Sequence, residues 1–434
     1  MKDKIVISAT GDSLFTADFP KEYDAEIKKI NSIMQDCDVK ITNLETNVME
    51  FGPFASAFSG GTWINVRPDD FCNVEKFGFN YYGTANNHTL DYSYHGMEST
   101  LKVLDERGYA HSGSGESLDK ASAPAVIEFG GKKVAVIAVT TTLNMAAKAG
   151  EATPVITARP GVNYVGFDAF YPIEEEQVKE LKKIAETTFV NTYHNLMVSS
   201  GFELADKDGL FVFGNLKFCY DKSKKTTECN PKDKARFLST VKKAKEENDL
   251  VIVLIHCHEI GKTSHEEVPE FYHELATETI DAGASAIIGG GTHQLRPLQI
   301  YKGAPIFYSL GDFIYQGMRV KHLPADFLTK YGCKNTASAL EGLMARSQGG
   351  KIGLQSQKCN FLTVLPKMEF VDGKMVSLKM TPISLGFEKD GDMNGLPCIA
   401  NEEEGKEIFD ILHRLSAPYG TQLKIENNVI ELVK

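Results

Sequence analysis

LVIVLIHCHE, residues 250–259, is the most hydrophobic stretch of the chain and the one from which the fold can be read. An unbroken apolar, β-branched run of this kind suits a strand buried on both faces of a parallel sheet. The run stops at His256-Cys257-His258-Glu259, side chains suited to chemistry rather than packing. The same pattern recurs on either side. KIVISAT (4–10) ends in Gly11-Asp12, and VKITNL (39–44) ends in Glu45. NYYGTA (80–85) runs into Asn86-Asn87-His88, with Asp91 three residues on. SAIIGG (285–290) leads through Gly291-Thr292 to His293, and PIFYSL (305–310) leads to Gly311-Asp312.

Helical spacing fills the gaps, over Tyr23–Cys37, Asp69–Phe77, Tyr94–Arg107, Pro231–Asn248 and 269–282. Strand-then-helix units predict an α/β fold with a mainly parallel sheet. Two hairpins add antiparallel strands. SAPAVIEF and KKVAVIAVT join at Gly130-Gly131, and FLTVLPKMEF and KMVSLKMTPISL join at Asp372-Gly373. Two packed sheets with helices outside accommodate both kinds of strand. The alternation breaks twice. Residues 143–235 hold a Pro/Gly-broken stretch (154–172) and a charged helix from Ile173 to Thr187, and they read as an insertion or substrate-selecting lid. Residues 316–358 read as a second insertion, and 359–434 as C-terminal strands and a helix (402–415) completing one domain over 1–434.

Composition narrows the class. With 434 residues, 42% of them hydrophobic and 24% charged, the chain is neither disordered nor fibrous. A net charge of −11 argues against nucleic acid as the partner, since phosphate binding needs a basic face. No run approaches the roughly 20 apolar residues of a membrane span, and the start lacks signal-peptide character. The expectation is a cytoplasmic protein, or an extracellular or membrane-associated one if a leader was removed. None of the eight cysteines forms CxxC, which predicts reduced thiols rather than a zinc knuckle. The P-loop, a GxGxxG after a strand and the GxSxG elbow are all absent.

In α/β sheets ligands bind outside the carboxyl ends of the strands. Six such ends carrying Asp, Glu, Asn or His predict one cleft with mixed oxygen and nitrogen donors. That mixture suits one or two divalent ions of the Mn, Zn or Fe type rather than calcium. Singly, each residue has a plain reading. Asp12 and Asp91 could be helix caps, Glu45 a solvated strand end, and His256 a satisfied core histidine. His258 and Glu259 could be exposed, and Cys257 at the end of a core strand is a poor nucleophile. His88 in Asn-Asn-His, and His293 after three glycines, are hardest to explain as packing.

These residues resemble a family. GDSLF (11–15), TNLET (42–46), TANNHTLDY (84–92), Gly96 with Thr100-Leu101, HCHE (256–259) and IGGGTHQLRPLQIYKGAPIFYSLGDFIY (288–315) look like the capsule-synthesis protein CapA family, associated with poly-γ-glutamate. The resemblance covers about 4–140 and 235–318, and more faintly 360–387. It implies a metallophosphatase-like, four-layer α/β/β/α sandwich. It also implies that Asp12, Glu45, Asn87, His256 and His293 are metal ligands, with His88 as general acid and Asp91 as its orienting partner. Asn86 and Arg296 are then expected to contact an anionic small-molecule or polymer substrate. The chain departs from the family pattern in two places: His-Pro-His becomes Gly291-Thr292-His293, and His-Trp-Gly-x-Glu becomes His256-Cys257-His258-Glu259. Like the family, it has Leu14 where many metallophosphatases place histidine. His258 is a candidate to replace the lost nitrogen ligand. The resulting expectation is a metal-dependent hydrolase acting on a phosphoester or γ-glutamyl amide. The alternative is a catalytically degenerate accessory protein for capsule polymer synthesis or export.

Overall fold

A computed structural model describes residues 4–389 and 391–433. Two large sheets dominate. In the first, Lys4–Leu14 pairs in parallel with Val39–Leu44, which pairs with Tyr81–Gly83, which pairs with Ala110–Ser112. On its other side Lys4–Leu14 pairs antiparallel with Leu362–Val371. That strand returns as Lys374–Ser384 through a tight turn with Asp372 at φ 51° and Gly373 at φ 75°. Positive φ at both turn positions matches the twist of a two-residue hairpin. Val429–Leu432 and Leu423–Glu426 extend this edge.

The second sheet runs Leu298–Tyr301, Ala304–Phe307, Ala286–Gly290, Leu250–His256, Lys132–Thr140 and Ala125–Phe129. Every residue of Leu250–His256 is buried, as its unbroken apolar run predicts. Both predicted hairpins are present, the first turning at Gly130 (φ 55°) and Gly131 (φ 78°).

One buried cluster contains Ile7, Ala9 and Ile41 from the first sheet together with Val136, Ile252 and Ile288 from the second, so the two sheets share a core. A second cluster packs Ile27, Ile30 and Met34 of the Asp24–Met34 helix, with Leu104 of Ser93–Glu106, over the first sheet. A third packs Phe237 and Val241 of Pro231–Glu247, with Phe271 and Leu275 of Glu270–Asp281, over the second. Each helix buries residues three or four apart, the spacing of one helical face.

The structure departs from the sequence reading at 305–311. The predicted strand stops early, at Phe307, and a further strand follows beyond its predicted end. Ala304–Phe307 belongs to the second sheet, and Asp312–Tyr315 crosses to pair in parallel with the end of Lys4–Leu14 in the first. Gly311, at φ 72°, makes the turn between them. This crossing carries Asp312 to the place where the carboxyl ends of both sheets meet.

Candidate metal centre

The strand ends converge through close backbone contacts that only glycine permits. A Cβ at Gly11 would lie 1.8 Å from the Gly311 carbonyl oxygen, which accepts the Asp12 amide at 3.0 Å. A Cβ at Gly290 would lie 2.4 Å from the Asp12 carboxylate. The carboxylate therefore sits against the second sheet and accepts hydrogen bonds from Gly291 N and Asn43 Nδ2, both at 2.6 Å. Burial works against its charge. The positive potential of His256 and these hydrogen bonds overcome that, and the Asp12 pKa falls below its ordinary value.

His256 lies at the centre. Its Nδ1 is 3.5 Å from Asp12 Oδ1. Its Nε2 is 2.7 Å from Asn87 Oδ1, 3.1 Å from His258 Nε2 and 3.5 Å from Glu45 Oε1. Glu45, His256 and His258 form one group whose ligand atoms all lie within 4.8 Å of one another, and Glu45, His293 and Asp312 form a second. Glu45 belongs to both. It is wholly buried, and neither carboxylate oxygen has a hydrogen-bond partner. Burial, reinforced by the negative charges of Asp12, Asp312 and Asp91, pushes its pKa well up. An unpaired buried carboxylate is costly, and buried charges are normally paired or bound to metal. Burial, then the neighbouring His256, His293 and His88, depress the His258 pKa, which leaves the neutral imidazole that a metal requires. The donor set, imidazole nitrogen with carboxylate and amide oxygen, fits Mn, Fe or Zn.

His88 stands beside this centre, with Nε2 at 3.8 Å from Glu45 Oε1. Its Nδ1 is 2.7 Å from Asp91 Oδ2, a pairing that fixes the ring and its tautomer. Asp91 is itself clamped by amides of the loop before the next strand, Gly60 N at 3.0 Å and Ile64 N at 2.9 Å. Gly60 is required there, because a Cβ would come within 2.6 Å of the His88 ring. His293 adopts φ 60°, a conformation non-glycine residues rarely take, and its Nδ1 meets both Asp312 oxygens at 3.0 and 3.1 Å. Burial disfavours its charge, but the Asp312 carboxylate outweighs burial and raises the His293 pKa.

Asp12, Glu45, Asn87, His88, Asp91, His256, His258 and His293 are thus brought together. Asn86 and Arg296 are placed differently. Asn86 Nδ2 donates to Leu44 O at 2.9 Å, and its Oδ1 accepts the His88 amide at 3.1 Å, so it shapes the turn that aims Asn87 and His88. Arg296 is 1% exposed, and its guanidinium donates to the carbonyls of His265, Cys257 and Glu259. It ties down the loop after the Leu250–His256 strand, and its donors are used on backbone rather than turned to a ligand. Glu259 is held by the hydroxyls of Thr141 at 2.7 Å and Thr142 at 2.8 Å. Sequence reasoning counted Asp312 among the six converging strand ends but left it out of the metal-ligand set, and it missed Asn43 and the Gly60 loop. Only the fold shows where these point.

A cavity of about 300 Å³ opens beside His88 and His293. Its other walls come from Leu14, the loop at Gly60–Thr62 and Ile64, Tyr315 and Gly317, and the segments at Arg346–Ser347 and Ile352–Gln355. None of the lining residues lies in 143–235. That segment instead contributes Val165 and Cys229 to the core over the second sheet, where Phe167 stacks on Phe271 at 4.3 Å.

This geometry belongs with a known group of sequences. Residues 6–317 match the family described as bacterial capsule synthesis protein PGA_cap, and the chain is a member of that family. An uncharacterized protein of Sinorhizobium fredii is 30% identical over 98% of this chain and 92% of its own length. The PGA biosynthesis protein CapA of Bacillus subtilis is 35% identical over 21% of this chain and 23% of its own. The capsule biosynthesis protein CapA of Bacillus anthracis is 24% identical over 58% of this chain and 44% of its own. Among the described residues no helix is long and apolar enough to cross a membrane.

Proposed function

We propose that this chain is a metal-dependent hydrolase of capsule-polymer metabolism, acting on a phosphoester or a γ-glutamyl amide. The two sheets sharing a core, with helices on their outer faces, support the four-layer metallophosphatase-type sandwich as its architecture. The observation that carries the reading is Glu45, a fully buried carboxylate whose oxygens accept no hydrogen bond among the described residues, whose nearest cationic-type neighbours are the imidazoles of His256, His88 and His258 at 3.5, 3.8 and 3.9 Å, and which is shared by two groups of ligand-type side chains. Asp12, Glu45, Asn87, His256 and His258 would hold one ion, and Glu45, His293 and Asp312 a second. A divalent ion in such a donor set polarises a phosphoryl or carbonyl oxygen and acidifies water.

The chain's own groups supply the proton transfer and the orientation. His88, fixed through Nδ1 by Asp91, presents Nε2 to the cleft and donates a proton to the leaving oxygen or nitrogen. The water that adds to the reacting centre gives up a proton in turn, and His88 is reset by proton uptake. Asn87 is steadied by its Nδ2, which donates to Gly60 O at 3.0 Å. The test is metal content and turnover of the full chain purified without chelator, on p-nitrophenyl phosphate and γ-glutamyl-p-nitroanilide, for wild type, His88→Asn and His293→Ala. About one ion or more per chain is expected, with turnover lost about 10²–10⁴-fold in His88→Asn. Unchanged turnover in both variants would remove the assignment.

A second reading, an accessory protein without turnover, is favoured by Gly291. At φ 109°, with the Cys257 backbone 2.7 Å from where its Cβ would lie, this position holds no side chain where the family commonly has histidine. A relative in Mycobacterium tuberculosis, 23% identical over 65% of this chain and 57% of its own, is named a probable polyglutamine synthesis accessory protein. Metal bound stoichiometrically with no turnover on either substrate would select this reading.

A further inference from the structure

The cavity over His88 and His293 has one cationic wall. Arg346, at the end of the Ala339–Arg346 helix, is the only Lys or Arg among the residues lining it. It is half-buried, and among the described residues no carboxylate pairs with it, whereas both Arg414 and Arg107 have such partners. One Nη donates to the Thr62 hydroxyl at 2.5 Å and to the Gly61 carbonyl at 3.5 Å, and the guanidinium carbon stands 5.4 Å from the Phe327 ring centroid. Phe327 belongs to a small core of its own, with Val320, Leu328 and Leu343 buried and Trp63 packed against them. The arginine is therefore anchored through one Nη and its stack on Phe327, and among the described residues its Nε and other Nη make no hydrogen bond in a residue that lines the cavity. An unpaired guanidinium in such a place is suited to a bidentate oxyanion.

We propose that Arg346 is the substrate-anion receptor of this cleft, and that the cavity takes an acyl or ester substrate carrying an acidic group beside, rather than at, the reacting bond. This rests on the cleft being a substrate site and deepens the function proposed above. Two observations define the ligand. At about 300 Å³ the cavity has room for more than a lone phosphate. The walls between the histidines and Arg346 include the apolar side chains of Leu14, Ile64, Ile352 and Leu354, which suit methylenes. A short aliphatic chain ending in an oxyanion is the chemistry that matches, such as a glutamyl unit linked through its γ-carbonyl with the α-carboxylate on Arg346. The same guanidinium would also hold a phosphate monoester, and the two sources are separable.

The experiment is isothermal titration of the full, metal-loaded protein with γ-glutamyl-γ-glutamate, with its α-amide analogue, and with inorganic phosphate. Wild type, Arg346→Gln and Arg346→Lys are compared, and metal content is measured in parallel. Arg346→Gln should weaken γ-glutamyl-γ-glutamate binding about 10–100-fold at unchanged metal content, with Arg346→Lys between the two. The α-amide should bind wild type as weakly as the acid binds Arg346→Gln. If phosphate alone depends on Arg346, the anion sits at the reacting centre, the substrate is a phosphoester, and the inferred side-group receptor is overturned. Equal binding by wild type and Arg346→Gln, or no binding of any probe to wild type, overturns the inference. Arg346-dependent binding without turnover would uphold it while removing the hydrolase reading.

Discussion

Replacing Glu45 by Gln should stabilise the metal-free protein and at the same time abolish its response to metal. Burial and the nearby Asp12, Asp312 and Asp91 raise the Glu45 pKa well above 4.5 in the folded state. Between that ordinary value and the raised one, the folded protein keeps a proton that the unfolded chain has released. Stability from this group is therefore full below about pH 4.5 and declines above it by about 1.4 kcal/mol per pH unit, until the folded carboxyl itself ionises. Gln has no proton to lose, so the variant should gain on wild type as pH rises from 5 to 8 when chelator is present. At about 2.1 cal/mol/K per residue, 434 residues convert 1 kcal/mol into about 1 °C of melting temperature. Each pH unit over which the folded carboxyl stays protonated corresponds to about 1.4 kcal/mol, hence about 1–2 °C in favour of Glu45→Gln. With manganese at a hundred times its dissociation constant, wild type should gain about 2.7 kcal/mol, again about 3 °C, and Glu45→Gln less than about 1 °C. Differential scanning calorimetry at pH 5 and 8, with EDTA or with manganese, reads all four values. A variant less stable than wild type in EDTA at pH 8, or equal manganese shifts in both proteins, would refute the reasoning.

Asp91→Asn should lower turnover less than His88→Asn does and leave metal content unchanged, because it loosens the ring rather than removing the proton donor; kinetics with parallel metal analysis will check this. Arg296→Lys should behave as a structural change, losing about 1–3 kcal/mol of stability in urea titrations as loop carbonyls go unpaired, with little change in KM for a substrate that still turns over. Gly291→Ala places a Cβ 2.7 Å from the Cys257 backbone at φ 109°, and should cost at least about 1–3 kcal/mol by the same assay. Cys257, whose thiol pKa is pushed up by burial, should resist alkylation in the native protein, while exposed Cys72 should be modified by iodoacetamide in peptide mapping.

The elements with long, clean periodicity were legible from the sequence. The Leu250–His256 strand, the Glu402–Ser416 helix and both glycine hairpins carry their own local signals. So did the residues at the strand ends, because a ligand-type side chain after an apolar run is visible without coordinates. What was not legible was direction and partnership. The family resemblance made Arg296 a candidate substrate contact, but three loop carbonyls accept its hydrogen bonds. Arg346 carries no motif at all and comes to the cleft only because Phe327 and Trp63 build a wall there. The 143–235 segment looked long enough to cover a site, yet Val165 and Cys229 commit parts of it to the core over the second sheet.

The sheet crossing at Gly311 explains why these distant residues form one centre. Had 305–315 continued as a single strand of the second sheet, Asp312 would have stayed there and could not pair with Asp12 in the first. The chain instead turns at Gly311, whose carbonyl oxygen occupies the space a Gly11 side chain would need. Asp312 then lies opposite Asp12 in the first sheet while bonding His293, which follows a strand of the second. His256 and Asp12 make the same connection from the other side. The donors are thus split between two sheets that share a hydrophobic core, which sets the spacing of the strand ends, while the turns after them aim Asn87, His258 and His293. A divalent ion bound between them would join the sheets, so metal binding should be coupled to global stability rather than to local ordering.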